Sequence, residues 1–294
     1  MTSQALKAED QPKPKSGLIW LASYPKSGNT WTRAFLSNLA AILAGERERL
    51  NVNSINRFTI GENFTQFYEE RLGFKPTEEH RKEIAALRHD VQRWIADQYE
   101  GLVFVKTHNG LLNDQGRSII NFAVTSGAVY IVRNPLDVAI SLSHHLGKTI
   151  DQAIETMGSL NVETPINDKR VYEVWGSWTQ NVESWTRKPH PAIYVMRYED
   201  MLGTPDKTFR DLARHLLLKA SPRQLALAID HSSFANLKSQ EEREGFRERP
   251  ETAKQFFREG RAGQWKEILT PAQIDRIIND HGEQMRRFGY LPLA

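Results

Sequence analysis

The chain has 294 residues, a formal net charge of +3 and no cysteine. Such a length suits one large α/β domain or two small ones, and the missing cysteines exclude a disulfide framework and any Cys-ligated zinc site. The mild basic balance suits an anionic ligand but is too small to argue for nucleic acid, and no stretch reaches the roughly 18 apolar residues of a membrane span.

Residues 1–16, "MTSQALKAEDQPKPKS", lack the apolar core of a signal peptide and read as a disordered polar tail. A cysteine-free chain fits a reducing cytoplasm. Leu18–Ser23 is the first of four short apolar or β-branched runs; the others are Leu102–Thr107, Ala128–Val132 and Ala192–Met196. Unbroken apolar runs predict strands covered on both faces, as in a parallel sheet. Helical spacing separates them. Trp31, Phe35, Leu39 and Leu43 mark one helix face; Ile84, Leu87, Val91, Trp94 and Ile95 a second; Val171, Val174, Trp175, Trp178, Val182 and Trp185 a third. Residues 44–75 are polar and weakly periodic and read as a long loop or an insertion. Ser221-Pro222 with Gln224, and Thr270-Pro271 with Gln273, predict capped helix starts, and Thr204-Pro205 a similar one. The mixed-sign run "SQEEREGFRERPE", residues 239–251, reads as a mobile, solvated segment that orders when a ligand binds. No repeat or linker divides residues 17–294. The expectation is a single α/β domain with a central, largely parallel β-sheet flanked by helices.

The stretch "YPKSGNTW", residues 24–31, joins the first strand to the first helix. A tight turn there aims backbone N–H groups at one point, and the helix N-terminus adds partial positive charge. Gly28 allows close approach, Lys26 supplies a charge, and Ser27, Asn29 and Thr30 supply donors. The Lys-Ser/Thr pair that seats magnesium in nucleotide-hydrolysing loops is replaced by Asn29-Thr30-Trp31. "VFVKTHNG" ends a strand in Lys106-Thr107-His108, where an imidazole is placed to take a proton. "VYIVRNPLDVAISL" sets Arg133 at a strand end and Ser141 on the following helix, a pair suited to a phosphate.

These blocks, in this order, resemble the cytosolic-type sulfotransferases, whose donor is 3′-phosphoadenosine 5′-phosphosulfate (PAPS) and whose nucleotide product is PAP. The look of "ASYPKSGNTW", "GSWTQNVESW" and "MRYED" is nearest to bacterial sulfotransferases that modify small natural products. The resemblance implies a P-loop-like 5′-phosphosulfate loop at Lys26, Ser27, Gly28, Asn29 and Thr30, with Asn29 where the family usually has Thr. It implies Arg133 and Ser141 on the 3′-phosphate, Tyr198 and Ser232 near the adenine, and Trp31 and Phe234 sandwiching that base. In "FFREGRAGQWK", Arg258 and Gly260 match the segment that closes over the 3′-phosphate, but Glu259 replaces its second basic residue. A carboxylate repels a phosphate, so Glu259 is expected to point away, with Arg258 and Arg261 carrying the charge.

The implied reaction is in-line sulfuryl transfer to a hydroxyl or amine of a small-molecule alcohol, phenol or amine. His108 is the implied general base, Lys26 and Lys106 the charge stabilisers, and Ser141 a residue that tunes Lys26. No metal is required, and neither nucleic acid nor membrane is an expected partner. Phe64, Phe67, Tyr68 and Met157 hint at an aromatic or amphipathic acceptor. "KEILTPAQID", residues 266–275, resembles the family's homodimer motif, with Pro271 and Asp275 in place of Val and Glu. Two rival readings are an ATP-dependent kinase, for which Asp137 or Asp200 would have to hold magnesium, and a non-catalytic adenine-nucleotide module with no use for Lys106 beside His108.

Overall fold

The computed structural model describes residues 16–292, so the expected tail lies outside the described residues except for Ser16, which opens the first strand. The strands are β1 (Ser16–Ser23), β2 (Thr59–Gly61), β3 (Gly101–Thr107), the two-residue β4 (Asn113–Asp114) and β5 (Arg117–Ser118), β6 (Thr125–Val132) and β7 (Ile193–Arg197). The helices are α1 (Asn29–Leu43), α2 (Thr65–Leu72), α3 (Arg81–Asp97), α4 (Pro135–Leu146), α5 (Ile150–Gly158), α6 (Trp178–Thr186), α7 (Tyr198–Gly203), α8 (Pro205–His215), α9 (Pro222–His231), α10 (Phe234–Glu244), α11 (Trp265–Ile268) and α12 (Pro271–Arg287).

Five strands form one sheet in the order β2-β3-β1-β6-β7, all pairs parallel. Alternation along the strands feeds both faces. Trp20, Ala128 and Tyr130 pack with α3, α4 and α6, whereas Leu21, Val129 and Ile131 pack with α1, α8 and α9. This two-sided burial is why the strands read as unbroken apolar runs. The chain leaves the central β1 for α1, with β3 on one side and β6 on the other. The carboxyl ends of β1, β3 and β6 therefore converge where open α/β sheets bind ligands. Among the described residues no helix is long and apolar enough to cross a membrane.

Three expectations change. Residues 44–75 are not one loop: they hold a 3₁₀ turn (Val52–Arg57), the edge strand β2 and α2. The third apolar face becomes helical only at Trp178. Gly176 at φ 64 turns the chain, and Ser177 and Gln180 form the capping box. Residues 171–175 run extended and buried on both sides, a state that satisfies the same apolar spacing; Val171 N–H donates to the Asn63 carbonyl at 2.9 Å. The run 239–251 is anchored at a few buried residues, while Glu242, Arg243, Glu244, Arg247 and Arg249 stay exposed. Gln240, Glu241 and Phe246 are buried, and Glu241 accepts from the backbone N–H groups of Phe256 and Phe257, both at 2.8 Å. The capped starts at Ser221 and Thr270 form as full capping boxes, while Thr204 caps α8 without a side-chain bond.

Candidate active site

The turn after β1 carries two left-handed residues, Lys26 at φ 66 and Gly28 at φ 106. Gly28 is required twice over, because a Cβ there would lie 2.8 Å from the Tyr198 ring as well as in a disfavoured conformation. The turn opens into a cleft of about 560 Å³. Lys26, Gly28, Asn29, Thr30, Trp31, Lys106, His108, Arg133, Ser141, Tyr198, Phe234, Arg258 and Gly260 all line it. Elements far apart in sequence thus deliver one site.

Two expected residues are placed differently. Ser232 is fully buried after α9, its hydroxyl donating to the Ala228 carbonyl at 2.8 Å, and it does not reach the cleft wall. Ser27 is buried beneath the loop, its hydroxyl without a hydrogen-bond partner. The side chain of Asn29 also turns inward and donates to the Leu21 carbonyl at 2.8 Å, so it latches the loop to β1 and leaves its backbone N–H at the helix start to the cleft.

Arg133 braces the loop after β1 from the end of β6. Its guanidinium donates to the Lys26 carbonyl at 2.9 Å and lies 4.2 Å from the Tyr198 ring centre, while its Nε is buried without a partner. Gly260, at φ 63, packs so closely on Phe234 that a Cβ would come within 2.3 Å of the ring. Trp31 meets Tyr198 edge-on at 5.9 Å. Glu259 does not simply point away: it lies 3.7 Å from Arg258 and 3.6 Å from Arg261, and Arg261 also pairs with Glu267 at 2.8 Å. Arg261 is thus shared between two carboxylates, and Arg258 is the cation this edge keeps for the cleft. Burial, with Arg133 and Arg258 nearby and Glu241 opposing them, lowers the Lys26 ammonium to about 7.

His108 sits at the end of β3. Its Nδ1 is 2.8 Å from the Ser23 carbonyl, which can only accept, so Nδ1 carries the proton and Nε2 is left as the free acceptor. Burial and the Lys106 charge lower this imidazole to about 4, so it is neutral near pH 7. Glu173, on the extended segment before α6, accepts from the His108 backbone N–H at 3.0 Å and lies 3.6 Å from Lys106 Nζ. Burial alone would raise the Glu173 carboxyl, but Lys106 and the other donors around it hold it at about 2. Asn181 donates to the His108 carbonyl at 2.9 Å and fixes the same turn from α6. Sequence reasoning missed Glu173 and Asn181. A lone carboxylate inside the apolar "VYEVW" was the available signal, since a charge there is buried only with a partner.

The remaining wall is polar. Arg33, on α1, is 3% exposed and forks onto Glu248 at 2.8 and 2.9 Å, and it also donates to Thr59 at 2.9 Å. Asn56, Asn63, Thr164, Lys169 and Arg170 complete this side. The aromatic hint from sequence does not survive: Tyr68 and Met157 are fully buried, Phe67 packs against the core, and Phe64 lies beneath Arg170 rather than on the wall. The two carboxylates named as candidates for magnesium are elsewhere. Asp137 is buried and accepts from the backbone of Gly263 and Trp265, Asp200 lies 3.7 Å from Arg197, and neither lines the cleft.

The fold is thus a parallel α/β sheet with a glycine-bearing turn after its central strand and a histidine at the end of the neighbouring strand, both on one cleft. Comparison with known proteins narrows this. The family model of the sulfotransferase domain matches residues 17–289, and the chain belongs to that family. It is 27% identical to sulfotransferase 1A1 of the dog over 175 residues, 55% of each chain. It is 25% identical to flavonol 3-sulfotransferase of Flaveria bidentis over 280 residues, 88% of this chain and 78% of that one. The chain spans about half the length of the mammalian relatives it matches. The fold is that of retinol dehydratase in a complex with retinol and PAP, at TM-score 0.63 and 19% identity over 94% of this chain and 82% of that one. It is equally that of mouse sulfotransferase SULT7A1 complexed with PAP, at TM-score 0.61 and 18% identity over 92% and 84%.

Proposed function

We propose that this chain transfers a sulfuryl group from PAPS to a hydroxyl or amine of a small-molecule acceptor and releases PAP. The observation that carries the reading is the histidine geometry: Nδ1 is committed to the Ser23 carbonyl, so Nε2 is free in the cleft that Lys26 and the loop also line. The residues fit the donor. Unpartnered buried polar atoms at Ser27, Trp31 and Arg133 surround the loop, and the first turn of α1 has no acidic residue to repel a phosphate.

In this reading PAPS supplies the activated sulfur. The acceptor oxygen or nitrogen bonds to it as the bridging S–O bond breaks, and the electron pair leaves on the 5′-phosphate of PAP. His108 takes the acceptor proton at Nε2. Lys26 and the N–H groups at the start of α1 hold the 5′ end and stabilise the leaving phosphate. Lys106 stabilises charge on the transferring group, and Glu173 holds Lys106 and the His108 backbone in register. Arg133, Ser141 and Arg258 hold the 3′-phosphate, and Trp31, Tyr198 and Phe234 form the adenine end. A cytoplasmic location rests on the cysteine-free sequence, and a homodimer on the likeness of residues 266–275 to the family motif.

Two measurements test the reading. PAP should raise the melting temperature more than ATP does, and PAPS should be converted to PAP in the presence of mixed alcohols, phenols and amines, unaffected by EDTA. Tighter binding of ATP with magnesium-dependent transfer would replace it by the kinase reading.

A further inference from the structure

The cleft contains two sets of charges. Lys26 feels Arg133, Glu241 and Arg258, whereas Arg170 feels Glu173, Glu248, Arg33 and Glu62. Lys106 and His108 stand beside Glu173 in the second set, and His145, also on the wall, feels Lys26, Lys106 and His108, so the two sets adjoin. The first set accounts for the phosphates of the donor. In the proposed reaction the first set and Lys106 take up the charge of the donor, which leaves Arg170 with no charge on the donor to bind.

That second set is not self-compensated. Arg33 is paired with Glu248, and Lys106 with Glu173. Arg170, Lys169 and Arg247 line the same cleft and make no ion pair among the described residues. Arg170 is the one built into the wall. The Asn167 side-chain oxygen accepts from the backbone N–H groups of Lys169 and Arg170, both at 2.9 Å, and sets the turn that presents them. The guanidinium lies 3.7 Å over the Phe64 ring and spends one donor on Asn63 at 3.0 Å. Its position is fixed from behind, and the rest of its planar fork is uncommitted. A guanidinium fixed from behind with free donors, on a wall that also carries the exposed Lys169 and Arg247, matches an oxyanion. A neutral aromatic acceptor would instead leave these groups desolvated without partners.

We propose that the acceptor carries an oxyanion, a carboxylate or a phosphate, next to the group that is sulfated, and that Arg170 grips it with Lys169 and Arg247 while the nucleophile faces His108. This rests on the sulfuryl-transfer reading and adds the class of acceptor. The side-chain oxygens of Asn56 and Asn63 accept from Arg33 and Arg170, which leaves their amide N–H groups and the Thr164 hydroxyl for the acceptor beside Pro165 and Trp175.

The test uses matched acceptors with the full-length protein and PAPS: hydroxyphenylacetate, its methyl ester and hydroxybenzylphosphonate, and glycerate, methyl glycerate and glycerol phosphate. The anionic members should exceed their esters in kcat/KM by about tenfold or more, the scale of a charge-assisted hydrogen bond. The better of carboxylate and phosphate in each set identifies which oxyanion is read. Arg170→Met should collapse the preference towards unity and Arg170→Lys should retain part of it, with PAP affinity and melting temperature held as controls on donor site and fold. A preference for the esters, a preference that persists in Arg170→Met, or no turnover of any anionic member overturns the proposal. Sulfation of the esters alone would do so while leaving sulfuryl transfer standing; failure to bind PAP would remove that reading itself.

Discussion

On the proposed reading, the donor and acceptor halves of the cleft are built by opposite means. The donor half stands on strand ends and helix starts: Lys26 to Trp31 after β1, Arg133 after β6, Tyr198 after β7. Its groups are backbone N–H donors and cations set by local turn geometry. The acceptor half is assembled from the 3₁₀ turn Val52–Arg57, β2, residues 163–175 and the stretch after α10. It is held by contacts between distant segments, such as Arg33 with Glu248 and Glu173 with the His108 backbone. A site made of local turns can be written in short motifs, whereas a site made of loop-to-loop ion pairs cannot.

The comparison can be broken most sharply at the boundary between the halves. His108→Ala should lower kcat by about 10²- to 10⁴-fold, the usual worth of a positioned base, while PAP binding measured by calorimetry stays near the parent value. Comparable losses in both would mean that His108 serves the donor half as well. The acceptor half can be loosened through its buried pair. Arg33→Met leaves Glu248 without its cation and should cost about 3 kcal/mol in urea unfolding. An unchanged midpoint would show that this wall does not depend on the pair.

On the donor side, Arg133→Ala should weaken PAP by about 10- to 100-fold, since a charge-assisted bond to phosphate is lost together with the brace on the Lys26 carbonyl. A gentler effect comes from pH. With Lys26 lowered to about 7 in the free protein, a bound phosphate raises it and binding takes up a proton. PAP affinity should therefore be flat below pH 7 and fall above it, by at most about tenfold per pH unit. Lys26→Arg, which cannot titrate in that range, should flatten the profile; a profile equally steep in the variant would assign the proton elsewhere.

Much of the donor half was legible because the physics that builds it is short-range. "YPKSGNTW" announces a strand-turn-helix anion site, and "VKTH" a histidine at a strand end, without reference to any other part of the chain. Even there, packing revised the details. Gly28 is demanded by the Tyr198 ring as much as by a ligand, Asn29 faces β1, and Ser232 is sealed behind α9. "SQEEREGFRERPE" shows the opposite case. Its mixed charges suggested solvent, but Glu241 caps the backbone ahead of Arg258 and Glu248 reaches Arg33. A charge run has no local signature that separates a solvated face from a set of distant partners.

By itself the sequence determined the parallel sheet, through apolar runs that only two-sided burial explains, and the turn between β1 and α1 that the proposed donor site uses, through a run of consecutive polar residues. The tertiary structure alone decided the character of the acceptor wall. Residues 56, 63, 170 and 248 are remote in the chain, and each is polar enough to pass for surface. Only the fold shows that they converge, because the free energy of a buried charge depends on what stands opposite it rather than on its neighbours in sequence.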